Sequence, residues 1–503
     1  MRSKLISRPA PIKGLVLGQS AKPDKDGAEV LENFIPTRRG IRIRGGRVSV
    51  ADLGSPVRSL MTYRTGGVER AFAATSTDLY EVPSGSPSSL KSGLTSGDWS
   101  HVQFGVVGGQ YLILANGSDP VQLYDGSSFT DANYTFDPVG ILTHNLSYVW
   151  SYRNRLFFSQ KGTLKVWFGD VASVTGTLRD FDLSGVFELG GSILFGATIS
   201  YDAGDGIDDR CVIVSDQGEV AIYAGADPAN DADWRLEGRY RIGIPLGPHA
   251  HMRAGGDVLI LTQAGAISLS QAIRSDKVAL TSKAITAPIE PLWTSMAKTR
   301  TAPWTIRRWD DRGIAIVTMP GSDRVLTVSL DTGAWSVQTN WPVTSMTTFG
   351  SRMLAAIGSQ VWALDESGLD GSDPFVARCA WSFAGDGVSR KIAGLARVVY
   401  YGRRAVALRL GAASDHMVTW PDPPAATSVT DDPDAWNVGT WDNARWAAST
   451  GMETRTVVSR WARVRASGIA LAPTIQITSG SPVQLRTEIV AVEMTVESGG
   501  VVV

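Results

Sequence analysis

Between residues 69 and 367 the chain repeats one local pattern seven times: an apolar run, a short polar turn, and a second apolar run. ERAFAATSTDLYEV (Glu69–Val82) is the first. QYLILANGSDPVQLYDG (Gln110–Gly126) follows, with Asn116-Gly117 at its turn. NRLFFSQKGTLKVWFGD (Asn154–Asp170) turns at Lys161-Gly162, and RCVIVSDQGEVAIYAG (Arg210–Gly225) at Asp216–Gly218. DVLILTQAGAISLS (Asp257–Ser270), RVLTVSLDTGAWSVQ (Arg324–Gln338) and RMLAAIGSQVWALDES (Arg352–Ser367) complete the series. Gly, Asn and Asp tolerate the positive-φ positions of tight turns, and β-branched or aromatic residues favour the flanking strands, so each unit reads as a β-hairpin.

The first strand of each hairpin is a continuous apolar run, which calls for burial on both faces. The second alternates, as a half-solvated strand does. A propeller blade needs such an inner and outer strand, at about 40–50 residues per blade. The expected fold is all-β, with a β-propeller of about seven blades over residues 50–371. Trp335 and Trp362 are expected to end or follow the outer strands of the last two blades. A sandwich of repeated hairpins is the alternative. One helical stretch stands out, SKAITAPIEPLWTSMAKT (Ser282–Thr299), with Pro288 and Pro291 inside it.

After residue 371 the texture changes. Longer strand patterns, AGLARVVYYGRRAVALRLG and VQLRTEIVAVEMTVE, flank a Pro/Asp-rich loop, TWPDPPAATSVTDDPDAW. Residues 372–503 read as a C-terminal β-sandwich-like domain, and residues 1–49 as an extended N-terminal segment.

The charge balance, 48 basic against 49 acidic residues, gives a net −1. No global attraction to nucleic acid or anionic membrane follows, so any electrostatic function is local. No apolar run nears the roughly 20 residues of a membrane helix, and no membrane insertion by this chain is expected. The opening MRSKLISRPAPIKG has no apolar core, so no secretory signal is expected. Cys211 and Cys379 form no CxxC motif; neither a disulfide framework nor a zinc site is expected, and synthesis in a reducing cytoplasm fits.

Candidate chemistry is thin. His249 and His251 would share a strand face and could begin a metal site, but no third ligand is evident nearby and Pro248 points to a loop. DAGDGIDD (Asp202–Asp209) lacks the alternation and distal Glu of a calcium loop. Ser414-Asp415-His416 are contiguous, the wrong arrangement for a catalytic relay. SLDTGAW (Ser329–Trp335) nearly matches the Asp-box of sialidase propellers, with its Trp one residue early, and that box is itself a structural turn. GxSxG, HExxH and GxxxxGK[ST] are missing. No enzyme activity, catalytic residue, cofactor or metal is expected.

Four stretches, in order, resemble the β-propeller tail proteins of short-tailed phages, known as the tail nozzle, tubular tail protein B or packaged-DNA stabilisation protein. They are RPAPIKGL…GAEVLENFIPTRRGIRIRGG; KAITAPIEPLW…APWTIRRWDDRGIAIVTMP; DTGAWSVQTNWPVTSMTTFGSRMLAAIGSQVWALDESGLDG; and the tryptophan-rich DAWNVGTWDNARW. Together they span nearly the whole chain. The first departs in part, being richer in Arg than the family's Gly-Val-Arg pattern. The resemblance implies a structural virion protein forming the tail nozzle or hub ring, a homohexamer. It would sit below a head-to-tail adaptor, and through it the portal, with a tail fibre or tail tip protein as a further partner. It would retain packaged genomic DNA and conduct it during ejection, located in the virion tail after assembly in the host cytoplasm. The other function that a propeller of this kind suggests is glycan binding or cleavage by a receptor-recognition protein.

The resemblance also implies that the N-terminal segment ties subunits together, which makes Arg38, Arg39, Arg42 and Arg44 candidate interface residues. In GIRIRGG an extended strand puts Ile41 and Ile43 on one face and Arg42 and Arg44 on the other. The alternative is a solvated edge strand whose arginines discourage aggregation. Contact with exiting DNA is disfavoured, because phosphate binding would slow passage. Trp436, Trp441 and Trp446 lie five apart, which suits neither one strand face nor one helix stripe. They are anchors of a winding segment, either in a core or at a subunit interface.

Overall fold

The computed structural model describes residues 3–18, 24–82, 87–202, 207–274, 283–385, 388–402, 406–426 and 455–501. Seven sheets follow one another from residue 59 to residue 367. The innermost strand of each packs on that of the next, except that blade 4 meets the second strand of blade 5, and the seventh returns to the first, so the sheets are blades of a β-propeller. Blade 1 runs from Ser59–Thr65 to Ser89–Lys91, blade 2 from Ser100–Val106 to Phe129–Asp131. Blade 3 runs from Leu146–Tyr152 to Gly176–Asp182, with Tyr134–Asp137 added in parallel on its outer edge. Blade 4 runs from Ile193–Asp202 to Arg235–Arg241. Blade 5 has three strands, His251–Ala254, Asp257–Thr262 and Gly265–Ser268. Blade 6 runs from Thr305–Trp309 to Trp335–Thr339. Blade 7 comprises Ser345–Phe349, Arg352–Ile357 and Gln360–Ser367, with Gly46–Asp52 from far upstream as its outermost strand.

All seven sequence-predicted hairpins are antiparallel pairs, but six are the second and third strands of their blades, and the Arg324–Gln338 hairpin is the third and fourth of blade 6. The innermost strand precedes each hairpin. The physical reason is packing. The second and third strands are clamped between neighbouring blades and read as apolar, whereas the innermost strand lines the axis and carries polar residues such as His101, Tyr148, His251 and Arg307. For the same reason Trp362 lies in the third strand of blade 7, inside the closing strand, and Trp335 opens the outer propeller strand of blade 6.

Apolar side chains fill the wedges between blades. Met61, Phe72, Leu112, Tyr124 and Phe129 join blades 1 and 2. Ala51, Leu60, Ala71, Leu354 and Val361 join blade 7 to blade 1 and close the ring. The expected helical stretch forms a helix at Glu290–Lys298, with proline in the first turn where its missing N–H costs nothing. Its Trp293 is buried and donates from Nε1 to the Thr262 carbonyl of blade 5 at 3.0 Å.

The C-terminal part is two sheets packed face to face. In one, Glu488–Val501 lies between Ser389–Gly402 on one side and Ser3–Pro9 and Ile41–Ile43 on the other. In the second, Ala470–Thr478 pairs with Val376–Trp381, Ala384–Gly385 and Leu408–Ser414. Val398, Tyr400, Val492 and Met494 of the first share a core with Cys379, Trp381, Ile475 and Ile477 of the second. Val376–Trp381 also pairs with Ala28–Glu32, which meets blade 6 in parallel at Glu32 and Val337. The second sheet is therefore continuous with a blade. The N-terminal segment, read from sequence as a unit of 1–49, contributes strands to both sandwich sheets and to blade 7. A chain that starts in the sandwich satisfies its backbone groups by adding to sheets that would otherwise end in open edges.

Candidate functional site

The arginine ribbon ends in the junction between propeller and sandwich. Ile41 and Ile43 are buried, as alternation predicts, and Arg42 faces the other way, half-buried. The strand stops at Ile43, so the alternation stops there too, and Arg44 turns inward. Arg44 donates from Nη1 and Nη2 to the two carboxylate oxygens of Asp370 at 2.9 and 2.8 Å. It also donates from Nε to Asn33 Oδ1, and from the remaining N–H groups to the carbonyls of Gly45 and Thr339. Its guanidinium lies 3.9 Å from the Phe375 ring centre and 4.6 Å from that of Trp341. Both charges are out of water and fully hydrogen-bonded, the condition under which a buried pair is tolerated.

A second knot forms at Asp365, buried in blade 7 with φ of 58°. Its carboxylate accepts from the Gly45 amide and from Arg42 Nη1 at 3.4 Å, and forms an ion pair with Arg312 Nε at 3.0 Å. Its carbonyl accepts from Gln484 of the sandwich. One residue thus joins the N-terminal segment, blades 6 and 7 and the C-terminal domain. Arg47 donates to the Asn340 carbonyl and stacks over Trp362, and burial lowers its pKa from the usual value, offset in part by Asp370. Arg38 and Arg39 face solvent; Arg38 makes one exposed ion pair with Asp331 at 3.2 Å. Of the four candidate arginines, Arg42 and Arg44 therefore serve contacts within the chain, and Arg38 and Arg39 remain available to a partner. Trp436, Trp441 and Trp446 lie outside the described residues.

The propeller axis holds a second polar cluster. His101 of blade 2, Tyr148 of blade 3, His251 of blade 5 and Arg307 of blade 6 sit on innermost strands, and His249 lies just before the blade 5 strand. Tyr148 Oη and His251 Nε2 are 3.3 Å apart, and the His251 ring stacks on Phe195 of blade 4 at 4.0 Å. Burial pushes His101 and His251 down to about 3 and His249 well below its ordinary value, with the positive Arg307 adding to the effect on all three. Blades 2 and 6 are not neighbours, so the influence of Arg307 on His101 acts across the axial channel. The imidazoles are neutral, and among the described residues no group of three or more His, Cys, Asp or Glu is placed to hold a metal.

Sequence reasoning reached His249 and His251 but missed Arg307, His101 and Tyr148, which come together only when the ring closes. The one local signal is Arg307-Arg308 inside a strand otherwise bounded by apolar residues. Residues 203–206 of DAGDGIDD lie outside the described residues, and two other motifs form turns. SLDTGAW is the turn between the strands Arg324–Ser329 and Trp335–Thr339, and Trp335 is buried with Nε1 donating to the Ile285 carbonyl. Asp415 and His416 form a positive-φ turn in which the Asp415 carboxylate accepts from the Ile469 and Ala470 amides.

No family model matches the chain, and no curated protein matches it. Among solved structures, the computationally designed Ika8 protein aligns at TM-score 0.35 and 10% identity, over 70% of this chain and 98% of that one. BBS1N, crystallised in complex with ARL6DN, aligns at TM-score 0.40 and 10% identity, over 65% of this chain and 96% of its own. Sqt1 of Saccharomyces cerevisiae aligns at TM-score 0.35 and 11% identity, over 64% and 98%. At such scores these likenesses add nothing to the sheet topology, on which the fold rests.

Proposed function

We propose that the chain is a structural protein of a short-tailed phage virion, a subunit of a ring that retains packaged DNA and conducts it during ejection. The observation that carries this reading is the placement of the segment that begins the resemblance, VLENFIPTRRGIRIRGG. It threads from the sandwich through the Arg44–Asp370 and Asp365 knots into the closing strand of blade 7. Propeller and sandwich are thereby pinned at several points, an arrangement suited to transmitting force and not to opening and closing over a substrate. The ring would be closed and heterologous, with copies meeting head to tail. Arg38 and Arg39, exposed on the tip of the Phe34–Pro36 and Ile41–Ile43 hairpin, are the arginines left to meet a neighbour.

DNA that must slide is served by a wall with few phosphate-binding cations, since each neutralised phosphate acts as a brake. The near-equal 48 basic and 49 acidic residues leave no surplus for a clamp. The test is cryo-electron microscopy of intact particles together with native mass spectrometry of extracted tails. The reading expects several identical copies per tail, six in a hexamer, with a lumen not dominated by Lys and Arg. A single copy per tail, or tight and steeply salt-dependent DNA binding by the isolated protein that is lost on replacing Arg38 and Arg39, would overturn it.

A further inference from the structure

We infer that the axial channel of the propeller holds a small tetrahedral oxyanion, such as inorganic phosphate or sulfate, bound by Arg307 and the imidazoles of His101, His249 and His251. Arg307 projects from the innermost strand of blade 6, and its Nε donates to the Met346 carbonyl of blade 7 at 3.3 Å. Among the described residues no carboxylate pairs with it. The charged and titratable groups acting at this point are Arg307 itself, the three imidazoles and the Tyr148 hydroxyl. A guanidinium remains charged in proteins, and a cation enclosed without a counter-ion is costly. Tyr148 Oη lies 3.3 Å from His251 Nε2 and the His249 ring centre 5.7 Å from that of Tyr148, and their strands, like that of Arg307, are innermost in their blades or lead into one. His101 Nδ1 and His251 Nδ1 are buried without a hydrogen-bond partner. A cation, two unpaired ring nitrogens and a hydroxyl, drawn from four blades with no carboxylate paired to the cation among the described residues, fit an acceptor-only ligand with negative charge. The inference does not rest on the virion reading, since the site is built within one propeller.

The experiment uses the full chain. Isothermal titration with inorganic phosphate, and separately with sulfate, is expected to show about one site per chain, as the single Arg307 requires. Arg307→Gln should weaken binding by roughly tenfold or more, the size of one charge-assisted hydrogen bond, while Arg307→Lys retains part of it. Crystals of the unaltered protein soaked in selenate supply a readout independent of any variant: an anomalous selenium peak is expected beside Arg307. A 5′-phosphorylated oligonucleotide tests the other source of the same chemistry and is expected not to bind. The inference is overturned by no binding of either ion, by undiminished binding in Arg307→Gln, by selenium only at other sites, or by binding of the oligonucleotide alone.

Discussion

Arg44 and Asp370 make a two-point ion pair, with side chains 0% and 3% exposed, across 326 residues of sequence. It ties the N-terminal segment to the exit of blade 7. Breaking such a pair from one side leaves a buried charge without its partner, which costs about 3–5 kcal/mol. Asp370→Ala and Arg44→Ala are each expected to lower unfolding stability by that order. The double variant should lose less than the sum, and a double-mutant cycle by urea denaturation measures the coupling. Full additivity would mean the pair does not act as a unit.

Arg38 is the contrast. Its ion pair with Asp331 joins side chains that are 75% and 55% exposed. Arg38→Ala should change stability by less than about 1 kcal/mol in the same titration. Any larger effect of this substitution is expected in the assembled ring, read as loss of oligomer by analytical ultracentrifugation of reconstituted tails.

Closure of the propeller depends on Gly46, where the chain enters blade 7. A Cβ at this position would meet the Leu369 carbonyl oxygen at 1.8 Å, and that neighbour is backbone. Gly46→Ala is expected to cost about 1–3 kcal/mol, the range for overpacking. Gly185, whose added Cβ meets nothing within 4 Å, is the control. Gly185→Ala should leave the melting temperature essentially unchanged in differential scanning fluorimetry.

The axial imidazoles make stability fall in acid. His101 and His251 titrate near 3 in the folded protein because of burial and Arg307, against about 6.5 in the unfolded chain. Below pH 6.5 the unfolded state therefore binds protons that the folded state does not. Stability is complete above pH 6.5 and declines toward pH 3, by up to about 2 kcal/mol per imidazole on going from pH 7.5 to 5. The unfolding midpoint of His101→Gln should fall less over that interval than that of the unaltered protein. In NMR spectra the His101 and His251 Cε1–H signals should not titrate between pH 5 and 8.

Both cysteines are buried, and burial raises their thiol pKa values, Cys211 to about 12. A thiolate-selective reagent such as DTNB is expected to label neither in the native protein and both in denaturant. Cys379 lies in the sheet that continues from blade 6, so its labelling rate on titration with urea reports the opening of the propeller–sandwich junction.

Much of the architecture was legible in the chain because a hairpin is a local object. Turn glycines such as Gly218 and Gly358, at φ of 79° and 61°, sit within a few residues of the strands they join, and the clamped middle strands carry an apolar signal. Composition and turn chemistry together determined an all-β fold and the succession of blades. The innermost strands were not legible, because they lack the continuous apolar run of the clamped strands: SHVQFGV and HMRA interleave polar and apolar residues, and only the ring places them.

Tertiary structure alone decided the rest. GIRIRGG alternates as an exposed edge would, yet Arg44 is buried, since Asp370, Asn33 and Phe375 converge on it from distant parts of the chain. Gly46–Asp52 becomes the last strand of blade 7 only because the C-terminal sheets position the N-terminal segment beside it. The Arg307 cluster likewise draws on blades 2, 3, 5 and 6, separated by up to about 200 residues. Turns are specified by the φ/ψ preferences of a few neighbouring residues, whereas charge burial and ring closure depend on partners that sequence proximity does not reveal.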